Sequence, residues 1–267
     1  FSGSAIALPD GRQLLMYTGV VRETREDGSV CERQRQCIAT GNGVDYEKYA
    51  GNPVLTEKDL PEGNSRIDFR DPKIWRENDG NYYAAVGNRP ADGSGQILLF
   101  ESPDGFEWKF HRVLCSNRGR YGKMWECPDF FELDGKQVLL VSPQDMLPQG
   151  LEYHNGNGTV CLIGSGDGIN EDFVEERSQA IDYGIDFYAP QTVLAPDGRR
   201  IMIGWLQNWD TCNPSTVHVP WAGQMSLPRE LSIEKGRLYQ KPVRELEALR
   251  RNEMRYMGVT FTDTLRL

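Results

Sequence analysis

Asp-Gly pairs set between runs of alternating apolar and polar residues recur along this chain. Each predicts a hairpin, because the turn needs positive φ values that Gly and Asp tolerate. Of the eight pairs, four (at Asp10, Asp79, Asp134 and Asp197) join two strand-like runs, at separations of 69, 55 and 63 residues. A repeat of that size is one sheet per unit. An apolar strand follows each turn: Gln13 to Val21, Asn81 to Val86, Gln137 to Val141 and Arg200 to Leu206. The remaining length of each unit, for example Gly95 to Ser102 or Thr159 to Ser165, leaves room for two outer strands. Four strands per unit, repeated radially, is the pattern of an all-β propeller. A helical pattern appears only at Arg244–Arg251, and strand-like alternation returns from Tyr256 to Phe261. Residues 1–243 therefore read as propeller, and residues 244–267 as a linker helix with the first strand of a further domain.

Composition narrows the partners. The 267 residues, 39% of them hydrophobic, can bury one large core. The net charge of -9 is spread along the chain without a basic stripe, so nucleic acid would find no electrostatic footprint. No window carries the roughly 18 to 20 apolar residues of a membrane span; the first residues, Phe1 to Ile6, do not read as a secretion signal but as the middle of a strand, so the true start is expected upstream. The six cysteines form no Cys-x-x-Cys pair and have no His at ligand spacing, which argues against structural zinc and against a redox motif. Free thiols suit a reducing cytoplasm, although Asn157-Gly158-Thr159 is a usable glycosylation sequon in a secreted protein. His111, His154 and His218 are scattered, and the glycine clusters near Asn157 and Ser165 lack the strand-to-helix context of phosphate loops. No metal and no cofactor is expected, and oligomeric state is left open.

Counted back from each turn, Ser2, Asp71 and Glu126 share one position, eight residues before the turn Asp, with Asp186 and Tyr188 just ahead of the fourth equivalent. That position opens the innermost strand of a propeller sheet, so these side chains converge on the axis. An Asp and a Glu in one pocket are what glycoside cleavage requires: an acid for the leaving oxygen and a carboxylate for the developing oxocarbenium ion. Glu126 suits the acid, shielded by Trp125 and Cys127, since desolvation keeps a carboxyl protonated. Asp71 follows Arg70, whose guanidinium is expected to favour an ionised carboxylate there. Trp205 and Trp209 end an inner-strand candidate, where they either stack a sugar or pack the core.

At these motifs the chain resembles glycoside hydrolase family 32, the invertases, sucrose-6-phosphate hydrolases and fructanases. The matching segments are Phe1-Ser2-Gly3-Ser4-Ala5, Phe69-Arg70-Asp71-Pro72, Trp125-Glu126-Cys127-Pro128-Asp129, Asp186-Phe187-Tyr188-Ala189-Pro190-Gln191, Gly204-Trp205-Leu206 and Met225-Ser226-Leu227-Pro228-Arg229-Glu230-Leu231, in the family's order. The resemblance implies a five-bladed β-propeller, its first blade incomplete here, followed by a β-sandwich. It also implies a retaining enzyme acting on terminal β-D-fructofuranosyl groups. By motif match Glu126 is the acid/base and Asp71 the transition-state stabiliser; Arg70 orients the pair, Phe1 and Ser2 line the fructose subsite, and Cys127, Asp186, Tyr188 and Trp205 complete the pocket. The family's nucleophile is an Asp in an Asn-Asp-Pro motif, whereas the one Asp-Pro here is Asp71-Pro72. The nucleophile is thus expected upstream of Phe1, and this piece alone is expected to be inactive.

Two other readings use the same features. An inverting furanosidase of arabinanase type would hold its carboxylates about 6.5 to 9.5 Å apart, against about 5 to 5.5 Å for retention. A non-catalytic sugar-binding propeller would keep the fold and lose turnover. Sucrose, sucrose 6-phosphate, inulin and levan all remain open as substrates, and Arg118, Arg120 and Lys123 are candidates for a phosphate at the rim.

Overall fold

The computed structural model describes residues 1–207 and 223–260. Among the described residues sixteen strands form four antiparallel four-stranded sheets in chain order. The first holds β1 (Gly3–Ala7), β2 (Gln13–Thr24), β3 (Val30–Gly41) and β4 (Tyr46–Lys48). The second holds β5 (Asn64–Arg76), β6 (Tyr82–Pro90), β7 (Gln96–Ser102) and β8 (Lys109–Ser116). The third holds β9 (Trp125–Leu133), β10 (Lys136–Pro143), β11 (Val160–Ser165) and β12 (Val174–Ala180), and the fourth β13 (Tyr188–Leu194), β14 (Arg200–Trp205), β15 (Arg229–Glu234) and β16 (Arg237–Pro242). This is a β-propeller with its blades in chain order and β1, β5, β9 and β13 innermost. The first blade was expected to be incomplete; it carries four strands like the others.

Alternation along the strands builds the core. In β7, Ile97 and Leu99 face the third sheet and Leu98 and Phe100 face the first, all fully buried. A strand covered on both faces reads as a continuous apolar run for this reason. Three apolar layers result. Leu14, Met16 and Ile38 pack on Phe69 and Leu98; Tyr83, Ile97 and Leu99 on Trp125, Leu139 and Val141; Phe131, Val138 and Leu140 on Phe187 and Met202. Each buried Leu or Ile side chain contributes about 1.5–3 kcal/mol. By contrast Val193, Leu194 and Ile203 on the fourth sheet are exposed.

The turns explain an error of register in the count made from sequence. Three of the four inner hairpins close through five residues: Leu8 N–H donates to Arg12 O, Glu77 N–H to Asn81 O and Ala195 N–H to Arg199 O. In the third sheet Leu133 pairs directly with Lys136, leaving Asp134-Gly135 as a two-residue turn with φ of 49° and 75°, the geometry Asp-Gly favours. Counting back from Asp-Gly therefore misaligns that sheet by one residue.

Beyond β16, Arg244–Leu249 form a 3₁₀ helix where a longer helix to Arg251 was expected. Leu246 N–H bonds Val243 O and Arg250 N–H bonds Glu247 O, three residues back, and none of its residues is buried, so no tertiary packing draws out an α-helix. Arg199 and Arg244 tie it to the fourth sheet through Glu245 and Asp197. Residues 256–260 carry no strand, and Phe261, like Trp209, Cys212 and His218, lies outside the described residues. Among the described residues no helix is long and apolar enough to cross a membrane.

Candidate active site

At the site end, each of the last three inner strands carries one extra residue, and in each case it precedes a proline. The ladder slips between Arg70 and Lys73, between Glu126 and Asp129, and between Tyr188 and Gln191. Asp71-Pro72, Cys127-Pro128 and Ala189-Pro190 fill the gaps. Pro has no N–H to lose from a ladder, so a bulge accommodates it. The preceding residues take φ of 63°, 48° and 50°, a left-handed geometry that costs a non-glycine residue on the order of 1–3 kcal/mol. The true structural equivalents are thus Asp71, Cys127 and Ala189 at the bulge, and Arg70, Glu126 and Tyr188 just before it. Asp71 and Glu126 are not equivalent, and Asp71 lies inside β5 rather than opening it.

The bulges bring the two carboxylates together. Asp71 and Glu126 are each 7% exposed. Cys127 N–H donates to Asp71 Oδ2 at 3.1 Å, and its thiol lies 3.5 Å from the same oxygen. Arg70 Nε donates to Glu126 Oε1 at 2.8 Å, and its Nη1 reaches Asp68 Oδ1 at 2.8 Å. Tyr188 OH lies 2.5 Å from Glu126 Oε2 and 3.1 Å from Ser142 O. The fold thereby joins Arg70, Asp71, Glu126, Cys127 and Tyr188 in one polar cluster.

Charge in this cluster is set by burial first. Burial pushes the Asp71 carboxyl above its ordinary value and the Glu126 charge adds to that, outweighing Arg70 and the Cys127 N–H. An ionised Asp71 favoured by Arg70 was the expectation; the guanidinium instead bonds Glu126 and Asp68, and its attraction is outweighed. Burial works against the charge on Arg70, but Glu126 and Asp68 more than compensate and hold it firmly protonated. The Cys127 thiol is pushed far up by burial and then by the Asp71 and Glu126 charges. Trp125 does not shield Glu126. Its ring faces the apolar layer between the second and third sheets, with the indole N–H on Tyr121 O, because neighbours in a strand point to opposite faces.

The other expected residues lie at the same end of the inner strands. Thr18 N–H bonds Ser2 O, and the Phe1 amino group bonds Thr18 O. Phe1 is 79% exposed. Trp205 pairs with Tyr188 across the ladder, with its indole nitrogen against Gly223, where a Cβ would come within 2.9 Å. Asp186 is half-buried, two residues before β13. The rim candidates do not share one state: Arg120 pairs with Glu175 and Lys123 with Asp145, and Arg118 stands in an exposed turn with φ 53°.

Sequence reasoning missed the supports. Gln34 Oε1 accepts from Phe69 N–H, Gln36 Nε2 donates to Phe69 O, and Thr18 Oγ1 accepts from Asp71 N–H. Polar residues at alternate positions of β3, Gln34 and Gln36, ahead of apolar Ile38 in the same alternation, were the available signal. At the far end of the axis Lys73 pairs with Asp129 at 3.2 Å and bonds Gln191. A cavity of about 680 Å³ opens there between Lys73, Asp129, Thr192 and Arg200, and neither Asp71 nor Glu126 lines it. Among the described residues no group of His, Cys, Asp and Glu could hold a metal ion.

A propeller with a buried acidic pair at one end of its axis offers the groups that glycoside cleavage requires. Residues 1–242 match the N-terminal domain of glycosyl hydrolases family 32. The chain belongs to that family. A raffinose invertase of Escherichia coli is 41% identical over 94% of this chain and 51% of its own length. A sucrose-6-phosphate hydrolase of Bacillus subtilis is 37% identical over 95% of this chain and 52% of its own. Among solved structures, a family 32 β-fructofuranosidase of Bombyx mori superposes with a TM-score of 0.81 at 38% identity, covering 94% of this chain and 52% of that one. The chain spans about half the length of these relatives.

Proposed function

We propose that the protein carrying this chain hydrolyses terminal β-D-fructofuranosyl groups of sucrose, sucrose 6-phosphate or fructans, by a retaining two-carboxylate mechanism. The observation that carries this reading is the buried Asp71–Glu126 pair, joined through Cys127 N–H and Arg70. Glu126 is the acid/base. Its two oxygens have different partners, a guanidinium N–H on Oε1 and a phenol on Oε2. Tyr188 has one hydroxyl proton and two acceptors beside it, Glu126 Oε2 and Ser142 O. Arg70 and Tyr188 thus hold both oxygens of Glu126 in place, as a positioned general acid requires.

Asp71, held by the Cys127 N–H, is the stabiliser of the oxocarbenium-like transition state and binds fructose hydroxyls. Arg70 orients Glu126; Phe1, Ser2, Asp186 and Trp205 border the sugar. The nucleophile is a third carboxylate supplied from outside these 267 residues, since Asp71-Pro72 is their one Asp-Pro. A fifth blade between the first and fourth sheets completes the ring, covering the exposed Val193, Leu194 and Ile203. A β-sandwich follows the linker that begins at residue 244.

The test is product analysis of the complete protein on sucrose, sucrose 6-phosphate, inulin and levan, beside Asp71→Ala and Glu126→Ala. Released fructose, lost by orders of magnitude in both variants, is expected, with little turnover by the 267 residues alone. Full activity in either variant would overturn the assignment.

A further inference from the structure

Each bulge leaves a backbone N–H outside the ladder, and a buried N–H must find an acceptor. Two of the three are met by a hydroxyl from the preceding blade. Asp71 N–H donates to Thr18 Oγ1 at 3.0 Å, and Ala189 N–H to Ser142 Oγ at 3.0 Å. Thr18 and Ser142 occupy the same place in their blades: Ser142 pairs with Glu126, the residue just before a bulge, and Thr18 pairs with Ser2 at the corresponding position of β1, whose ladder has no bulge. In the second blade that place is Gly87, paired with Arg70. It has no hydroxyl to offer, and the bulge N–H of Cys127 turns to Asp71 Oδ2 instead. Gly87 cannot be replaced freely, since a Cβ there would lie 2.5 Å from Trp125 O. Close packing of the second and third sheets thus hands one orphaned donor to the carboxylate of Asp71.

From this we infer that Thr18 is the positioning residue of Asp71. It pins the N–H of a left-handed residue, and its own hydroxyl proton is spent on Gln36 Oε1 at 3.1 Å, so the oxygen faces the N–H as an acceptor. Gln36 in turn holds Phe69 O at 2.8 Å, so the backbone is fixed on both sides of Arg70. Without Thr18 Oγ1, a strained residue before proline loses the bond that opposes its relaxation toward extended geometry. The carboxylate then moves relative to Glu126. This rests on the functional reading above, in which the placing of Asp71 decides the rate.

The complete protein carrying this chain is the material for the test. Thr18→Val keeps shape and removes the acceptor; Thr18→Ser keeps the acceptor. On the order of a 10- to 100-fold fall in kcat is expected for Thr18→Val, the scale of misplacement near the reacting atoms, with Thr18→Ser within about threefold of wild type. Amide hydrogen exchange is the independent arm: residue 71 should exchange at least tenfold faster in Thr18→Val, with the amides of β7 unchanged. Equal loss of rate in both variants, or unchanged exchange at residue 71, overturns the inference. Should wild type cleave no fructoside, the functional reading fails by itself, while the exchange arm still decides whether Thr18 holds Asp71.

Discussion

Arg70 is the test of how much this cluster depends on burial. Its guanidinium bridges Glu126 and Asp68 at 2.8 Å each, with side chains only 12%, 9% and 14% exposed. Opposite charges about 4 Å apart at an effective dielectric of about 20 attract by about 4 kcal/mol, and desolvation returns much of that. Removing Arg70 is asymmetric, because it strands Glu126 without a cation, while Asp68 keeps Arg89 at 2.6 Å. Arg70→Met leaves the buried Glu126 and Asp71 carboxylates facing each other's field, and it removes the positive charge that restrains the upward push on Asp71. A loss of about 3–5 kcal/mol is expected, a large part of the 5–15 kcal/mol that typically holds a folded protein together. Arg22 supplies the control. Its pair with Glu32 has a similar length, 2.9 Å, but its side chain is 78% exposed, so Arg22→Met should cost under about 1 kcal/mol. Urea unfolding of both variants, read with unchanged m, gives the comparison. Equal costs for the two would refute the claim that burial makes the Arg70 bridge matter.

Titration gives two further expectations. Burial and the Glu126 charge raise the Asp71 carboxyl above its ordinary 3.8, so its contribution to stability is complete below that value and is lost as pH rises through the folded one. Asp71→Asn, which cannot titrate, should therefore gain stability relative to wild type as pH rises above about 4; parallel pH–stability curves would sink this. Cys127, raised far above 9.0 by burial and by Asp71, should resist iodoacetamide at pH 8 in the native protein and react once unfolded, as read by peptide mass spectrometry. Native labelling at the rate of a free thiol would contradict the upward push.

Local rules carried the reading far. Asp-Gly turns and alternating apolar runs found the hairpins of all four blades, and β7 and β11 begin within one residue of the expected runs, because turn chemistry and strand periodicity are properties of a few neighbouring residues. The motif residues Asp71, Glu126, Arg70 and Tyr188 were also visible as a set. Their arrangement was not. A bulge adds one residue to one strand and reverses which face the next side chain takes, and nothing in the alternation marks it until the partner strand is present. The shorter Asp134-Gly135 turn is why Asp71 proved equivalent to Cys127, and strand alternation is why Trp125 turned into the apolar layer. The choice of Glu126 over Asp71 by the Arg70 side chain is likewise a matter of distances across two sheets, as is the support from Thr18, Gln34 and Gln36. Sequence fixes what each residue can offer its neighbours along the strand; the packing of separate blades decides which distant groups share a buried space, where low dielectric turns proximity into energy.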